Sequence, residues 1–142
     1  MMNEPVSTIM TSDLITVTPK DNLAKVYKLF RSHRIHHLPV VENKKLVGIL
    51  TTYDLFKLEK SLEDYGEIMV KDVMTTKLAT LESNSKVGSA VLLFTENLFH
   101  AVPIVEENGE LVGIVSTLDV MKYSLKKQYP NRTAAYWGKT SA

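Results

Sequence analysis

Cysteine is absent from this chain of 142 residues, which excludes disulfide bonds, thiolate nucleophiles and cysteine-based zinc sites. The longest apolar runs, residues 38–41 and 91–94, fall far short of the ~20 residues that a membrane-spanning helix requires. The first residues include neither a basic nor an apolar segment, so we expect a cytoplasmic rather than a secreted protein. Because 17 basic residues nearly balance 16 acidic ones, no overall field favours nucleic acid or membrane as a partner.

An internal repeat organises the sequence. Residues 10–42 align without a gap with residues 74–106, at an offset of 64, and one extra residue in the following turn extends the match to residue 122. Repeats of this kind bury their faces against each other, so two copies predict a pseudo-two-fold axis and one or two clefts along it. The matched positions include Met10 and Met74, His36 and His100, Pro39 and Pro103, Gly48 and Gly113, and Asp54 and Asp119.

Each repeat predicts the same order of elements, β-α-β-β-α. In the first, an extended piece at 15–17 precedes a helix capped by Asp21 or Asn22, strands at 37–41 and 46–50, and a helix capped by Thr52. The second predicts a strand at 78–81, a helix at 85–97, strands at 101–105 and 111–116, and a helix at 117–127. Residues 59–67 are interpreted as a helix end plus a linker. The predicted fold class is α/β (α+β), with small sheets flanked by helices, and the predicted divisions are 1–64, 65–127 and a tail at 128–142.

The tail differs from the repeats. After Asp119 the sequence has no acidic residue, whereas five basic residues follow, and Tyr136 and Trp137 interrupt a polar stretch. Two interpretations stay open at this stage, a solvated tail whose aromatic residues touch the body and an arm that docks on a partner.

The strongest local motif is a glycine followed by a hydroxyl residue and a carboxylate, in Gly48 to Asp54 and again in Gly113 to Asp119. One interpretation is helix capping, with Thr52 and Thr117 as N-caps. Helix capping alone is not expected to require both a hydroxyl residue and a carboxylate at the same spacing in each of the two repeats. The other interpretation is a nucleotide site, since a helix N-terminus offers N–H groups to an anion and a carboxylate accepts ribose hydroxyls.

Taken in order and in duplicate, the motifs Met-Thr, Thr-x-x-Pro-x-x-x-Leu, His-x-x-Pro-Val-Val and Gly-x-x-Thr-x-x-Asp resemble the cystathionine-β-synthase (CBS) domain pair, or Bateman module. The resemblance covers residues 6–126. It implies a regulatory module that binds adenine nucleotides, or S-adenosylmethionine, between its repeats and pairs into flat dimers. No metal and no covalent cofactor are implied.

The resemblance also implies two clefts. In the favoured one, Asp119 binds ribose, Thr18 and Ser116 donate to ribose or phosphate, a histidine contacts phosphate, and apolar side chains flank the base. Its residues are Ile15, Thr16, Thr18, Leu23, Ile35, His36, His37, Ser116 and Asp119. The second cleft comprises Thr51, Asp54, Ala79, Thr80, Val87, Phe99, His100 and Ala101.

The second cleft departs from the family pattern at three positions. Glu82, Ser83 and Ala101 stand where the first repeat has Thr18, Pro19 and His37. Because a carboxylate near a phosphate is repulsive, by about 1 kcal/mol or more in a partly desolvated site, we expect this cleft to disfavour polyphosphates. An adenosine-like or cationic ligand, or none, is expected there, and Asp119→Ala is expected to weaken nucleotide binding more than Asp54→Ala.

The histidines allow more than one interpretation. His36 and His37 are adjacent in a predicted strand, where neighbouring side chains point to opposite faces, so one metal ion bound by both is not expected. His36 and His100 either pack beside Pro39 and Pro103 or face a ligand. Catalysis is not expected, because Asp54 and Asp119 are symmetric and no phosphate loop or nucleophile elbow is present.

The leading functional hypothesis is a stand-alone, non-enzymatic sensor of an adenine nucleotide that signals to a separate effector protein. The alternatives are a structural dimerisation module with vestigial clefts, and a sensor of S-adenosylmethionine or another adenosyl ligand. A homodimer is predicted on the apolar outer faces of the helices, since residues 91–94 cover more of a helix than one buried face requires.

Overall fold

The computed structural model of this protein describes residues 2–97 and 99–131. The first repeat contains α1 (Leu23–Ser32), β1 (His37–Glu42), β2 (Lys45–Thr51) and α2 (Thr52–Lys57). The second contains α3 (Val87–Asn97), β3 (Ala101–Val105), β4 (Leu111–Ser116) and α4 (Thr117–Gln128). Short 3-10 helices span Val6–Thr8, Leu62–Glu67 and Val70–Asp72. The predicted α+β fold of two small antiparallel sheets flanked by helices is confirmed.

Each sheet is a hairpin extended by single-residue bridges. β1 pairs with β2 and β3 with β4, both with a register shift before the turn. The extended pieces predicted at 15–17 and 78–81 contribute one parallel bridge each, from Val17 to Val40 and from Leu81 to Ile104. The pieces predicted as the first strand of each repeat thus form single-residue bridges rather than ladders.

The tips of the two hairpins meet. Asn43 and Lys44 form a two-residue turn with positive φ values of 52° and 68°, and Gly109 has a φ of 88° in the other turn. The amide of Leu46 donates to the carbonyl of Gly109 at 3.2 Å, and the amide of Leu111 donates to that of Lys44 at 3.1 Å. The two sheets therefore join across the predicted pseudo-two-fold axis.

The two hydrophobic cores exchange chain segments. Val6, at the start of the chain, packs with Phe94 and Val102 in the core of the second repeat. Val70, which follows the first repeat, packs with Leu50 in the core of the first. Each core therefore includes a segment from beyond the predicted boundary at residue 64, and the boundary itself stays a prediction.

Residues 59–67 do not form the linker that the sequence indicated. Leu62–Glu67 is a 3-10 helix whose Tyr65 is buried in the first core. The Tyr65 ring packs edge-on against Tyr27 of α1, with the ring centroids 6.1 Å apart, and its hydroxyl donates to the carbonyl of Leu55 at 3.4 Å. A single aromatic residue in an acidic stretch was the sequence feature that could have indicated burial. Beyond this segment, α3 begins at Val87, two residues later than predicted.

Two of the three predicted helix N-caps lie one residue away from the observed caps. Asn22 caps α1, accepting from the amide of Lys25 at 3.0 Å, as the sequence allowed. The caps of α2 and α4 are Thr51 and Ser116, so the assignment of Thr52 and Thr117 was wrong. These two threonines are the first residues of their helices.

α4 ends at Gln128, one residue after the predicted end and two residues before Pro130. The tail residues Tyr136 and Trp137, and the basic residues beyond Asn131, lie outside the described residues. Within residues 2–97 and 99–131, no helix combines the length and apolar character that crossing a bilayer requires.

Candidate functional site

A cavity of about 650 Å³ opens between the two repeats. The end of β2 and the start of α2 form one side, while the segment after Met74 and the residues around the start of β3 form the other. Its volume lies within the range of ~300–1,000 Å³ that small-molecule sites occupy. The lining residues are His36, His37, Ile49, Thr51, Thr52, Tyr53, Asp54, Thr75, Lys77, Leu78, Ala79, Phe99, His100, Ala101 and Pro103.

Most of the residues assigned to the second cleft line this cavity. They are Thr51, Asp54, Ala79, Phe99, His100 and Ala101. The remaining two do not: Thr80 is exposed elsewhere, and Val87 has no exposed surface. Val87 therefore has no surface to offer a ligand, contrary to the role expected of it.

Only His36 and His37 of the set assigned to the favoured cleft line the cavity. Leu23 is fully buried in the first core, and Ile15 and Ile35 pack against the same core. Leu23 thus cannot flank a base in this arrangement, contrary to expectation. The residues of this set that lie away from the cavity are Ile15, Thr16, Thr18, Leu23, Ile35, Ser116 and Asp119.

Capping boxes fix the hydroxyl and the carboxylate of the duplicated motif. The amide of Thr51 donates to Oδ2 of Asp54 at 2.8 Å, and the amide of Asp54 donates to Oγ1 of Thr51 at 3.2 Å. Ser116 and Asp119 repeat the arrangement at 2.8 and 3.1 Å. The expectation that capping does not need both groups was wrong, because the capping box uses both at this spacing. The motif therefore has a structural explanation, which does not exclude a second role.

One oxygen of Asp54 stays outside the capping box. Oδ2 accepts the Thr51 amide, whereas Oδ1 lies 3.7 Å from Nζ of Lys57, whose side chain is exposed. An exposed ion pair of this length is weak. A carboxylate oxygen with a weak partner at the rim of a cavity is a suitable acceptor for ligand hydroxyls.

Lys77 is a site residue that the sequence reasoning missed. It lines the cavity, and the repeat offset pairs it with Asp13, so the charge at this position differs in sign between the repeats. That difference was the available signal. Glu82, which was expected to repel phosphate here, does not line the cavity, and its amide donates to Oγ of Ser85 at 3.2 Å. The expected repulsion of a polyphosphate by Glu82 stays a prediction.

His36, His37 and His100 line the same cavity. The alternation of side chains along a strand had predicted that the adjacent His36 and His37 would point to opposite faces. β1 begins at His37, so His36 lies in the bend before the strand, where alternation does not apply. Burial lowers the pKa of the half-buried His37 below its usual value; the nearby His36 and His100 lower it further, and Asp54 acts in the opposite direction. In the part of the chain that the structure describes, no three His, Asp or Glu side chains group closely enough to hold a metal ion.

A family model of the CBS domain matches residues 6–61 and 70–126. The chain belongs to the CBS domain family. The two matches correspond to the two repeats, so the chain contains a CBS domain pair.

Relatives and solved structures agree with this membership. The chain is 38% identical over 126 residues to inosine-5'-monophosphate dehydrogenase of Bifidobacterium longum, and 36% identical over 108 residues to that of Korarchaeum cryptofilum. These alignments cover 87% and 76% of this chain but 22% of each dehydrogenase, so the chain spans about a fifth of these relatives.

Two solved structures have nucleoside-type ligands. One is CBSX2 in complex with AMP, with a TM-score of 0.80, 27% identity, and coverage of 88% of this chain and 98% of that one. The other is the CBS domain pair of MJ0100 with 5-methylthioadenosine and S-adenosyl-L-methionine, with a TM-score of 0.76, 26% identity, and coverage of 87% and 97%. CBS-pair proteins of this kind are regulatory modules.

Proposed function

We propose that this CBS domain pair senses a phosphorylated adenine nucleotide in the cavity between its repeats and passes the signal to a partner. The observation behind the proposal is the convergence of a carboxylate, three histidines and a lysine on one cavity of about 650 Å³. Asp54 is suited to accept ribose hydroxyls, and Lys77 and the imidazole N–H groups are suited to bind phosphate. The AMP complex of CBSX2 supports a ligand of this class.

The charges around the cavity favour a nucleotide over S-adenosylmethionine, the alternative ligand. Lys77 brings a basic side chain to the lining, and the three imidazoles offer N–H donors beside it. A cationic sulfonium near these groups would meet repulsion, with Asp54 as the opposing charge. Phe99, which is 41% exposed, offers an aromatic face for the base.

The experiment compares Asp54→Asn with Asp119→Asn by titration calorimetry using AMP. Asparagine retains a carbonyl oxygen for the capping box, so both variants should fold, but it replaces the second carboxylate oxygen with a donor. Loss of the ribose acceptor costs about 1–3 kcal/mol, so Asp54→Asn should weaken AMP binding roughly 5- to 150-fold. Asp119→Asn, which lies off this cavity, is the matched control and should change affinity less than about twofold.

A larger loss of AMP affinity in Asp119→Asn would place the ligand in the cleft that the sequence favoured, and equal losses would contradict a single preferred site.

A thermal-shift series with AMP, ADP, ATP, NAD and S-adenosylmethionine identifies the ligand. A ligand at 100 times its Kd should stabilise the fold by about 2.7 kcal/mol. Absence of any shift at millimolar concentration would favour the purely structural role.

Assembly is a second proposal, based on separate residues. Helices α2 and α4 expose large apolar side chains at equivalent positions, Tyr53 and Phe56 on α2 and Leu118 and Met121 on α4. Phe56 is 80% exposed and Met121 is 66% exposed. We propose that these helices form the interface of a homodimer, since such residues gain by burial. The partner that receives the signal, and a cytoplasmic location, stay predictions.

A further inference from the structure

A groove of about 440 Å³ lies between α1 and α2 of the first repeat. Phe56 lines it and is exposed, and the Phe56 ring stacks on that of Tyr53 with the centroids 6.4 Å apart. The groove is therefore an apolar surface that is open to a partner. Its apolar and aromatic lining residues are Tyr27, Phe30, Leu55, Phe56 and Tyr65.

Helix α4 of the second repeat carries a stripe that suits such a groove. Leu118, Met121 and Leu125 are exposed and recur at i, i+3 and i+7, so they lie along one side of the helix. Grooves that receive an amphipathic helix bind apolar anchors at this spacing. Within one chain α4 packs against α3 and β4 while the stripe stays exposed, so a second copy is needed to bring the stripe to the groove.

The helices beside the groove and beside the stripe differ in charge. Helix α1 contains three basic residues and no acidic one, whereas the one charged residue of α3 is Glu96. At positions that the repeat matches, the exposed Lys28 and Arg31 of α1 correspond to the exposed Leu92 and Thr95 of α3. The first repeat thus presents cations where the second presents neutral side chains and a carboxylate.

A second pair of surfaces has the opposite signs. Next to the buried Tyr65, which lines the groove, the 3-10 helix Leu62–Glu67 exposes the carboxylates of Glu63, Asp64 and Glu67. Helix α4 carries Lys122 and Lys126 beside its apolar stripe. Because each repeat offers the charges that the other lacks, contact between unlike repeats is electrostatically favoured.

We propose that the groove between α1 and α2 receives α4 of a second copy, so that two chains pair head to tail, with the first repeat of each against the second repeat of the other. The inference rests on the homodimer proposed above and adds which parts of the two copies meet. A two-fold axis makes the contact occur twice, since each chain gives one groove and one stripe. Pairing of like repeats would instead place the cations of α1 opposite each other.

The absence of cysteine makes this arrangement measurable by thiol cross-linking of the full chain. Phe56→Cys marks the groove and Met121→Cys marks the stripe, both at exposed positions that tolerate substitution. Each variant is treated with a short bismaleimide alone, and both are treated together after subunit exchange. Random exchange makes about half of the dimers mixed, so head-to-tail pairing predicts covalent dimers in the mixture and none above background in either variant alone.

Ser7→Cys is the matched control for the cross-linking. Ser7 is exposed in the 3-10 helix Val6–Thr8, and it belongs neither to the groove lining nor to α4. A mixture of Ser7→Cys with Phe56→Cys should give background yield.

A charge exchange tests the same arrangement without cysteine. Arg31→Glu and Glu96→Arg should each raise the dimer Kd about two- to tenfold in sedimentation equilibrium, because an exposed ion pair is weak but occurs twice in the dimer. The double variant, which restores opposite charges across the contact, should return to within about twofold of the parent Kd.

Three results would overturn the inference and leave the proposed homodimer intact. They are covalent dimers from Phe56→Cys alone, no cross-link in a mixture that sediments as a dimer, and a double charge variant no tighter than the weaker single variant. A parent protein that is monomeric at tens of micromolar would overturn both the arrangement and the homodimer.

Discussion

Gly48 lies against Met74, the residue at which the aligned stretch of the second repeat begins. A Cβ atom built on Gly48 would lie 2.6 Å from Sδ of Met74 and 3.1 Å from the carbonyl oxygen of Thr75. The amides of Ile49 and Thr75 donate to each other's carbonyls at 3.0 Å on this side of the strand. The same relationship recurs in the other repeat, where Met10 covers Gly113. The Met-Thr motif and the strand glycine are thus two halves of one contact between the repeats.

Gly48→Ala should destabilise the fold by about 1–3 kcal/mol, the range for overpacking a well-filled site. The thioether of Met74 could move aside, but the Thr75 carbonyl belongs to a hydrogen-bonded bridge and cannot retreat without weakening it. Urea unfolding monitored by circular dichroism measures the change.

Gly66→Ala is the matched control for this substitution. No atom lies within 4 Å of a Cβ built at Gly66, and its φ is not positive, so the variant should stay within about 0.5 kcal/mol of the parent. If the two glycine variants were equally stable, close packing at Gly48 would not be the reason for glycine there.

Glu4 fastens the start of the chain to the second repeat. Its carboxylate accepts from the hydroxyl of Tyr123 and lies 2.5 Å from Nζ of Lys127 on α4, while its carbonyl accepts from the amide of Val87 at 2.9 Å. The hydrogen bonds from Lys127 and Tyr123 lower the pKa of Glu4 from 4.5 to about 2.

The lowered pKa of Glu4 fixes the sign of a pH effect. A carboxyl whose pKa falls on folding contributes stability above pH 4.5, and this contribution is lost as the pH falls toward about 2. Glu4→Gln should therefore unfold at lower urea concentration than the parent at pH 7, and the difference should shrink steadily between pH 5 and pH 3. Because the contact is exposed, added salt should also reduce the stability difference between the parent and Glu4→Gln.

Tyr123→Phe provides a second measurement of the same contact. It removes the hydroxyl donor but leaves the ion pair with Lys127, so its effect at pH 7 should be smaller than that of Glu4→Gln. A difference between parent and Glu4→Gln that stays constant from pH 7 to pH 3 would contradict the role assigned to the Glu4 charge.

The exposed apolar residues of α2 and α4 make the proposed dimer testable. Phe56→Glu and Met121→Glu should each shift the protein from a dimer to a 16 kDa monomer in sedimentation velocity at tens of micromolar, because a buried unpaired charge opposes association. Ala24→Glu, on the exposed side of α1, should leave the dimer intact.

The α1 variant distinguishes two interfaces. The sequence indicated apolar outer faces on the helices in general, so α1 and α3 offer a second surface besides α2 and α4. Leu92 of α3 is exposed as well. Dissociation by Ala24→Glu together with an intact dimer in Phe56→Glu would move the interface to α1 and α3. A monomeric parent protein would end the proposal.

Local interactions explain what was predicted well. Contacts between residues close in sequence form the hairpin strands and give each repeat its periodic apolar positions. The strands at 101–105 and 111–116 were therefore predicted with the observed bounds. The caps were misplaced by one residue because Thr51 and Thr52 offer the same hydroxyl, and only backbone geometry distinguishes the N-cap from the first helical residue.

The sequence by itself determined the duplicated unit, the fold class, the family and the types of residue available to a ligand, since all of these depend on pattern and spacing. Only the tertiary structure decided which residues meet. It brought His36, His37 and His100 together with Lys77 and Asp54 around one cavity, which Glu82 does not line. The physical reason is that the cavity forms between the two repeats, so its composition depends on how their surfaces pack, and no local pattern encodes that packing.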